Sequence, residues 1–177
     1  LRGSQLTLSI NSSGKIHVSQ DGQFLCLADS VFFIQSEVDD YLNFFSTESR
    51  FKNRKYQGDF KLLENQGSLQ IINTILLDDY LEGVLVSEAG VNLEAEYYKV
   101  QAIISRTYAL NNISKHKNEG FNLCDQVHCQ VYHGIARFDE DIIEAAMITS
   151  RQVVVDSDLN LITAAFHSNC GGHTVNS

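Results

Sequence analysis

Residues 76–110 read LLDDYLEGVLVSEAGVNLEAEYYKVQAIISRTYAL, and the helical period of this stretch decides the fold. An apolar stripe at helical spacing predicts a first helix, and it consists of Leu77, Leu81 and Val84. Glu88 extends the same stripe by one more turn. After Gly90, a second helix is predicted over about 93–110. Two helices joined by so short a connection predict an αα-hairpin.

The second predicted helix has an apolar stripe of its own, formed by Leu93, Tyr97, Val100, Ile104 and Tyr108. Apolar side chains in helical register are typical of the face that a helix packs on a core. The register of these residues supports the second helix of the predicted αα-hairpin.

The residues before the helices have the period of strands. Short alternating runs separated by turn-forming residues fill 5–36, and two more runs follow at 58–63 and 68–73. Cys26, inside one of these runs, is predicted to be a small buried side chain. The polar stretch before Lys55 is predicted to be loop or weak helix. The first third of the chain is therefore a β-rich scaffold.

The residues after the helices begin with a Cys- and His-bearing loop at 115–134. A third helix follows, with Asp139 as its predicted N-cap, and then a hairpin of 152–155 with 161–166. The order strands, helices, strands predicts an α+β fold. A Gly-rich segment reaches Ser177 with no element after it, so we expect the chain to stop before the fold is complete.

The composition excludes some functions. The net charge is −9, from 13 Lys and Arg against 22 Asp and Glu, and no basic cluster offers the positive surface that nucleic acids need. The same charge disfavours a polyanionic glycan and leaves a neutral or amide-bearing sugar chain open. The longest apolar runs are a few residues, whereas a membrane span needs about 20. The first residues show no signal-peptide pattern, which leaves the compartment open.

Glu88 is the candidate catalytic residue. A carboxylate on the packed face of a helix is costly to ionise, and such a group can donate and then accept a proton near neutral pH. The alternative is that the stripe drifts near the helix end, so that Glu88 is a solvated terminal residue. The helical period alone leaves both interpretations open.

A second candidate site lies in the Cys- and His-bearing loop, where the potential ligands are His116, Cys124, His128 and Cys129. Thiolates and imidazoles together suit tetrahedral Zn²⁺, and four protein ligands would make the site structural. A disulfide between Cys124 and Cys129, or from either to Cys170, is the rival in an oxidising compartment, and free thiols are the third alternative. A nucleophilic cysteine is disfavoured, because no strand-to-helix turn precedes any of these cysteines.

Four blocks of the sequence resemble one family. Residues 79–88, DYLEGVLVSE, look like its motif E-x-Y-L-x-G-V-V-P-S-E, and residues 98–110, YKVQAIISRTYAL, are similar to its helix A-L-K-A-Q-A-V-A-A-R-T-Y-A-L. Residues 123–132 and 166–174 resemble two further blocks in the same order. The family is SpoIID/LytB, that of stage II sporulation protein D. The resemblance implies a catalytic domain over 56–177, truncated at its end, after a β-rich part over 1–55.

The resemblance implies a lytic transglycosylase in which Glu88 is the single acid and base. Such enzymes cut the β-1,4 bond between N-acetylmuramic acid and N-acetylglucosamine without consuming water, giving 1,6-anhydro products. The expected substrate is glycan free of stem peptides. The alternative is a non-catalytic peptidoglycan-binding module of the amidase-enhancer type. The chain has Ala89 and Gly90 where the family has Met-Pro, which alters the turn after Glu88.

The family blocks and the strand end at 166 also nominate substrate contacts, which are Gln130, Tyr132, His167 and Ser168. Arg106 is a further candidate, either as a substrate contact or as a partner of Glu88, although an exposed helical Arg is the commoner case. The implied partners are peptidoglycan strands and a cell-wall amidase. The implied location is extracytoplasmic, in the periplasm or cell envelope.

Overall fold

The computed structural model of the chain describes residues 5–37, 40–45, 54–134 and 140–166. The predicted α+β class is confirmed. The strands are β1 Leu6–Ile10, β2 Ile16–Gln20, β3 Gln23–Ala28, β4 Ser30–Phe33, β5 Leu42–Phe44, β6 Arg54–Tyr56, β7 Asp59–Asn65 and β8 Ser68–Thr74. The helices are α1 Leu77–Ala89, α2 Ala95–Asn111 and α3 Glu140–Ile148, with a short 3-10 helix at Lys117–Glu119.

The chain forms two compact units. The first comprises Leu1–Leu42 with Gln57–Ile75, and the second comprises Asn43–Tyr56 with Leu76–Ser177. These units are defined by packing, and the functional division expected at residue 56 stays a prediction. No helix within the described ranges is long and apolar enough to cross a bilayer.

The first unit contains two antiparallel sheets, ordered β1-β2-β3 and β4-β7-β8. The central strands supply the buried side chains, which are Ile16 and Val18 on β2 and Phe60 and Leu62 on β7. Cys26 is exposed rather than buried, because β3 is an edge strand whose side chains face solvent. The alternating pattern thus predicted the strands but not which of them lie at an edge.

The loop or weak helix expected before Lys55 is confirmed at 35–37 and 40–41, which form no strand or helix, and wrong at β5 and at the start of β6. β5 and β6 pair there as a two-stranded sheet, and the rings of Phe44 and Tyr56 meet edge to face at 5.7 Å. Each strand has three residues, which is too short for an alternating pattern to be recognised.

The second unit is built on the three helices, which all pack on one another, so the predicted αα-hairpin is confirmed. Its core cluster consists of Leu85, Tyr98, Ala102, Ile142 and Ala145. The hydroxyl of Tyr98 bonds to the carbonyl of Gly90 and the amide of Leu93, which fixes the connection between α1 and α2.

The apolar stripe that predicted α2 mostly faces solvent. Leu93, Tyr97 and Val100 are 41%, 49% and 56% exposed. The face that is buried carries small and polar residues, namely Tyr98, Gln101, Ala102, Ser105, Arg106, Thr107 and Ala109. Small side chains let α2 approach its neighbours closely, and the polar ones are hydrogen-bonded. The apolar period therefore predicted the helix, while its buried side is set by other residues.

Arg106 on α2 is the hub of the second unit, with a side chain only 1% exposed. Its Nη2 donates to Asp78 Oδ1 at 2.8 Å and to the Ala146 carbonyl at 3.0 Å, and Nη1 donates to the Thr149 carbonyl at 2.8 Å. Burial would raise the pKa of Asp78, but the hydrogen bonds from Ser150 and Arg106 outweigh it and hold that pKa below its ordinary value. One guanidinium thus joins the start of α1 to the end of α3.

The predicted hairpin after α3 is reduced to one antiparallel bridge, between Val155 and Leu161. Its turn is held by the Asp156 carboxylate, which accepts two backbone N–H groups. The amide of Val154 donates to Thr107 Oγ1 on α2 at 3.0 Å, so part of this segment bonds to a helix rather than to a paired strand. The predicted third helix is confirmed, and its expected cap, Asp139, lies outside the described residues.

Replacing Arg106 tests the hub. Arg106→Met leaves the carbonyls of Ala146 and Thr149 without their donor, and we expect the free energy of unfolding to fall by about 3 kcal/mol or more. Urea unfolding followed by circular dichroism measures this. Lys99→Met is the control on the same helix, because Lys99 has only a surface ion pair with Glu96, and its unfolding midpoint should barely move. Equal losses in the two variants would contradict the hub role.

Candidate functional site

Glu88 lies in the last turn of α1, with its side chain half-buried. Its Oε1 accepts the backbone N–H of Val131 at 2.6 Å. The helix ends directly after it, where Gly90 has a φ of 86° and its N–H bonds to the Val86 carbonyl at 3.1 Å. A residue with a side chain rarely adopts this φ. The sequence Ala89-Gly90 therefore builds a glycine-specific turn that stops α1 beside the carboxylate.

The end of the Cys- and His-bearing loop runs along α1. The amide of His133 donates to Ser87 Oγ at 3.3 Å, next to the bond between Val131 and Glu88. A Cβ at Gly83 would lie 2.5 Å from both the Gly134 carbonyl oxygen and the Tyr132 ring. Gly83 thus permits a contact that any larger residue would block, and this contact brings the loop to Glu88.

Gln130 and Tyr132, expected to touch the glycan, are buried at 1% and 6% exposure. Gln130 accepts the hydroxyl of Tyr80 at 3.3 Å and donates to the Ser105 carbonyl at 3.3 Å. The Tyr132 ring packs 5.1 Å from that of Tyr80, and burial raises the pKa of its hydroxyl well above the ordinary value. Side chains so enclosed hold the loop in place, and the expected contact of both residues with the glycan stays a prediction.

Arg106 does not pair with Glu88, so that expectation is wrong. Its guanidinium pairs with Asp78 and bonds to the carbonyl groups of Thr149 and Ala146, and its expected contact with a substrate stays a prediction. The helical stripe could not reveal this, because the partners come from elements that pack on α2 only in three dimensions. The predicted substrate contacts His167 and Ser168 lie outside the described residues and stay predictions.

The loop brings together the four residues that the sequence nominated as metal ligands. The ligand atoms of His116, Cys124, His128 and Cys129 all lie within 4.8 Å of one another. His128 Nδ1 is 3.8 Å from the sulfur of Cys124 and 3.9 Å from that of Cys129. Both cysteines are free thiols, so the alternative disulfide between them is not formed. A pairing with Cys170 involves a residue outside the described ranges.

The surroundings of His116 fit a metal ligand. Its Nδ1 contacts Glu119 Oε1 at 2.6 Å, and its ring stacks on Phe121 at 4.7 Å. Its Nε2 is buried and has no hydrogen-bond partner within the described part of the chain. Metal-bound imidazoles usually have their other nitrogen held by a carboxylate in this way. The sulfur separation in a tetrahedral zinc site is roughly 3.8 Å, so a small contraction would complete this cluster.

Two titratable residues near the site were missed by sequence reasoning. Burial, followed by the negative charges of Asp79 and Asp78, raises the pKa of Glu82 to about 7. Loss of hydration and the nearby Arg54 lower the pKa of His133, and negative charges including that of Glu88 partly offset the effect. The helical period placed Glu82 off the apolar stripe, and the close spacing of three carboxylates was the only signal available.

Glu82 should make stability depend on pH. Its folded pKa of about 7 exceeds the ordinary 4.5, so the folded chain holds the proton more tightly and loses stability as pH rises through that interval. Glu82→Gln removes the cost of ionising this half-buried carboxyl group, which solvent screening limits to about 1 kcal/mol. The substitution should therefore raise the Tm at pH 8 by about 2–4 °C.

At pH 4 the variant and the wild type should melt together. Glu94→Gln, at an exposed carboxylate before α2, is the matched control and should show no such difference. If Glu82→Gln changed the Tm equally at pH 4 and pH 8, the raised pKa of Glu82 would be contradicted.

Comparison with known proteins identifies the family. The family model named Stage II sporulation protein, SpoIID, matches residues 65–156, which is just over half of the chain. An uncharacterized protein of Brachyspira hyodysenteriae is 29% identical over 121 residues, covering 68% of this chain and 33% of the relative. The chain thus spans about a third of that relative's length. No solved structure matches this chain at a significant level. The chain belongs to the SpoIID family, which is linked to peptidoglycan processing.

Proposed function

We propose that this protein is a lytic transglycosylase that cleaves the bond between N-acetylmuramic acid and N-acetylglucosamine, with Glu88 as its single acid and base. The observation that carries the proposal is the 2.6 Å hydrogen bond from the Val131 amide to Glu88 Oε1. It orients a half-buried carboxylate at the end of a helix, beside the loop that the family motif covers.

Because of this hydrogen bond, the two oxygens of the Glu88 carboxyl group have different roles. Oε1 accepts an N–H, so the transferable proton resides on Oε2. That proton goes to the glycosidic oxygen as its bond to C1 of the muramic sugar breaks. The C6 hydroxyl oxygen of the same sugar then bonds to C1, and its proton returns to Glu88. The product is a 1,6-anhydro sugar, and no water is consumed.

We further propose that the cluster of His116, Cys124, His128 and Cys129 holds a structural Zn²⁺. Four protein ligands leave no open position, so the ion would cross-link the loop and take no part in bond cleavage. Cys129 lies two residues before Val131 in sequence. A cross-link there would therefore restrain the amide that orients Glu88.

Glu88→Gln is the direct test of the catalytic proposal. Glutamine keeps an oxygen for the Val131 amide but has no proton to give, so the rate should fall at least about 100-fold. The full-length protein is incubated with glycan strands with and without stem peptides, and anhydro-muropeptides are measured by mass spectrometry. The stripped strands should be the better substrate.

Glu94→Gln is the matched control and should retain wild-type turnover. Equal product from Glu88→Gln and wild type would refute the catalytic role. Glycan binding by wild type without any product would favour the alternative, a non-catalytic module that enhances an amidase.

Metal analysis tests the zinc proposal. Protein purified under reducing conditions should contain one zinc per chain, and Cys124→Ser should lose most of it because one of four ligands is gone. Cys26→Ser changes an exposed thiol in the other unit and should retain the metal. A metal-free wild-type sample with an intact circular dichroism spectrum and a cooperative melt would exclude a structural zinc.

A further inference from the structure

We propose that Cys124 and Cys129 form a thiol–disulfide switch. Oxidation joins the two sulfurs, releases the metal and weakens the hydrogen bond from the Val131 amide to Glu88. The inference rests on the proposed metal site and adds a mode of regulation to it. The tests below measure disulfide formation, zinc release and amide hydrogen exchange, so they remain informative whether or not Glu88 proves catalytic.

The two thiols are placed for direct reaction with each other. Both sulfurs contact Nδ1 of His128, at 3.8 Å from Cys124 and 3.9 Å from Cys129, and all four ligand atoms of the cluster lie within 4.8 Å of one another. A disulfide needs a sulfur separation of about 2.05 Å, so the sulfurs must approach by a few ångströms at most. Residues 120–134, all of them described, form no helix or strand that would resist this approach.

Cys124 is more exposed to solvent than Cys129, which determines the order in which an oxidant reaches them. Cys124 is half-buried, with a solvent-accessible side, and Cys129 is buried with 6% exposure. An oxidant therefore reaches Cys124 first, and Cys129 is the resolving thiol behind it. This order matches the requirement that redox-sensitive cysteines be accessible and have a second thiol within reach.

The reaction balances with a peroxide as the oxidant. The Cys124 thiolate attacks one oxygen of hydrogen peroxide and the O–O bond breaks. A sulfenic acid forms, and the hydroxide released takes up a proton to become water. The Cys129 thiolate then attacks the Cys124 sulfur and displaces hydroxide, which takes up a proton to become water. The two sulfurs have lost two electrons, which the peroxide has accepted. Deprived of both thiolates, the Zn²⁺ leaves as the hydrated ion, since two imidazoles alone bind it weakly.

The switch reaches Glu88 through the short segment after Cys129. The amide of Cys129 bonds to the Gln126 carbonyl at 2.9 Å, and the amide of Tyr132 bonds to the Asp125 carbonyl at 3.3 Å. These bonds cross the stretch that must rearrange when the sulfurs join. The amide of Val131 lies within the same segment, so its bond to Glu88 lengthens when the loop contracts.

Peroxide titration of the zinc-loaded protein tests the chemistry. Zinc release is followed with a colorimetric chelator, and the tryptic peptide 118–137, which contains both cysteines, is weighed by mass spectrometry. We expect one zinc released for each peptide that becomes lighter by two hydrogen atoms, and full reversal by dithiothreitol with added zinc. Cys26→Ser should behave as wild type.

Hydrogen exchange tests the coupling to Glu88. The Val131 amide should exchange at least about tenfold faster after oxidation, because a hydrogen bond to a carboxylate is lost. Cys129→Ser should show neither the mass change nor the peroxide-dependent exchange. Zinc release without the lighter peptide, or disulfide formation with unchanged Val131 exchange, would overturn the switch. A wild-type sample that binds no zinc would overturn it together with the proposed metal site.

Discussion

The buried guanidinium of Arg106 is the interaction on which the second unit depends. Arg106 belongs to α2, and its guanidinium bonds to Asp78 at the start of α1 and to carbonyl groups at the end of α3. One charged group therefore connects three helices. An enclosed cation needs this many acceptors to offset its lost hydration. The position of α1 is set in this way, and α1 carries Glu88 at its far end.

The carboxylate of Glu88 is then oriented by contacts that come from outside its own helix. Gly83 lets the loop approach α1, Gly90 ends the helix, and the Val131 amide takes one oxygen of the carboxylate. The cluster around Cys129 lies just before that amide in the chain. The His and Cys cluster, the loop segment after it and the amide that bonds to Glu88 thus follow one another within a few residues. The proposed role of Glu88 as both acid and base would require that these contacts keep its carboxylate oriented.

Local patterns in the sequence predicted α1, the strands of the first unit and the composition of the metal cluster, because each depends on residues close together in the chain. The buried face of α2 could not be predicted from the apolar period, since this face is set by hydrogen bonds to Asp78 and Thr149 and not by apolar content. The enclosure of Gln130 and the pairing of β5 with β6 likewise depend on distant residues. Only the family motifs distinguished Glu88 from an ordinary residue at a helix end.

The bond between Glu88 and Val131 also bears on how the chain folds, because 43 positions separate its two residues. The contact between α1 and α2 closes a much shorter loop, and short loops close first. The helical hairpin can therefore form early in folding, whereas the carboxylate is oriented only when the later loop docks. A partly folded chain would carry Glu88 without its partner. The orientation of this carboxylate is thus one of the later events in folding.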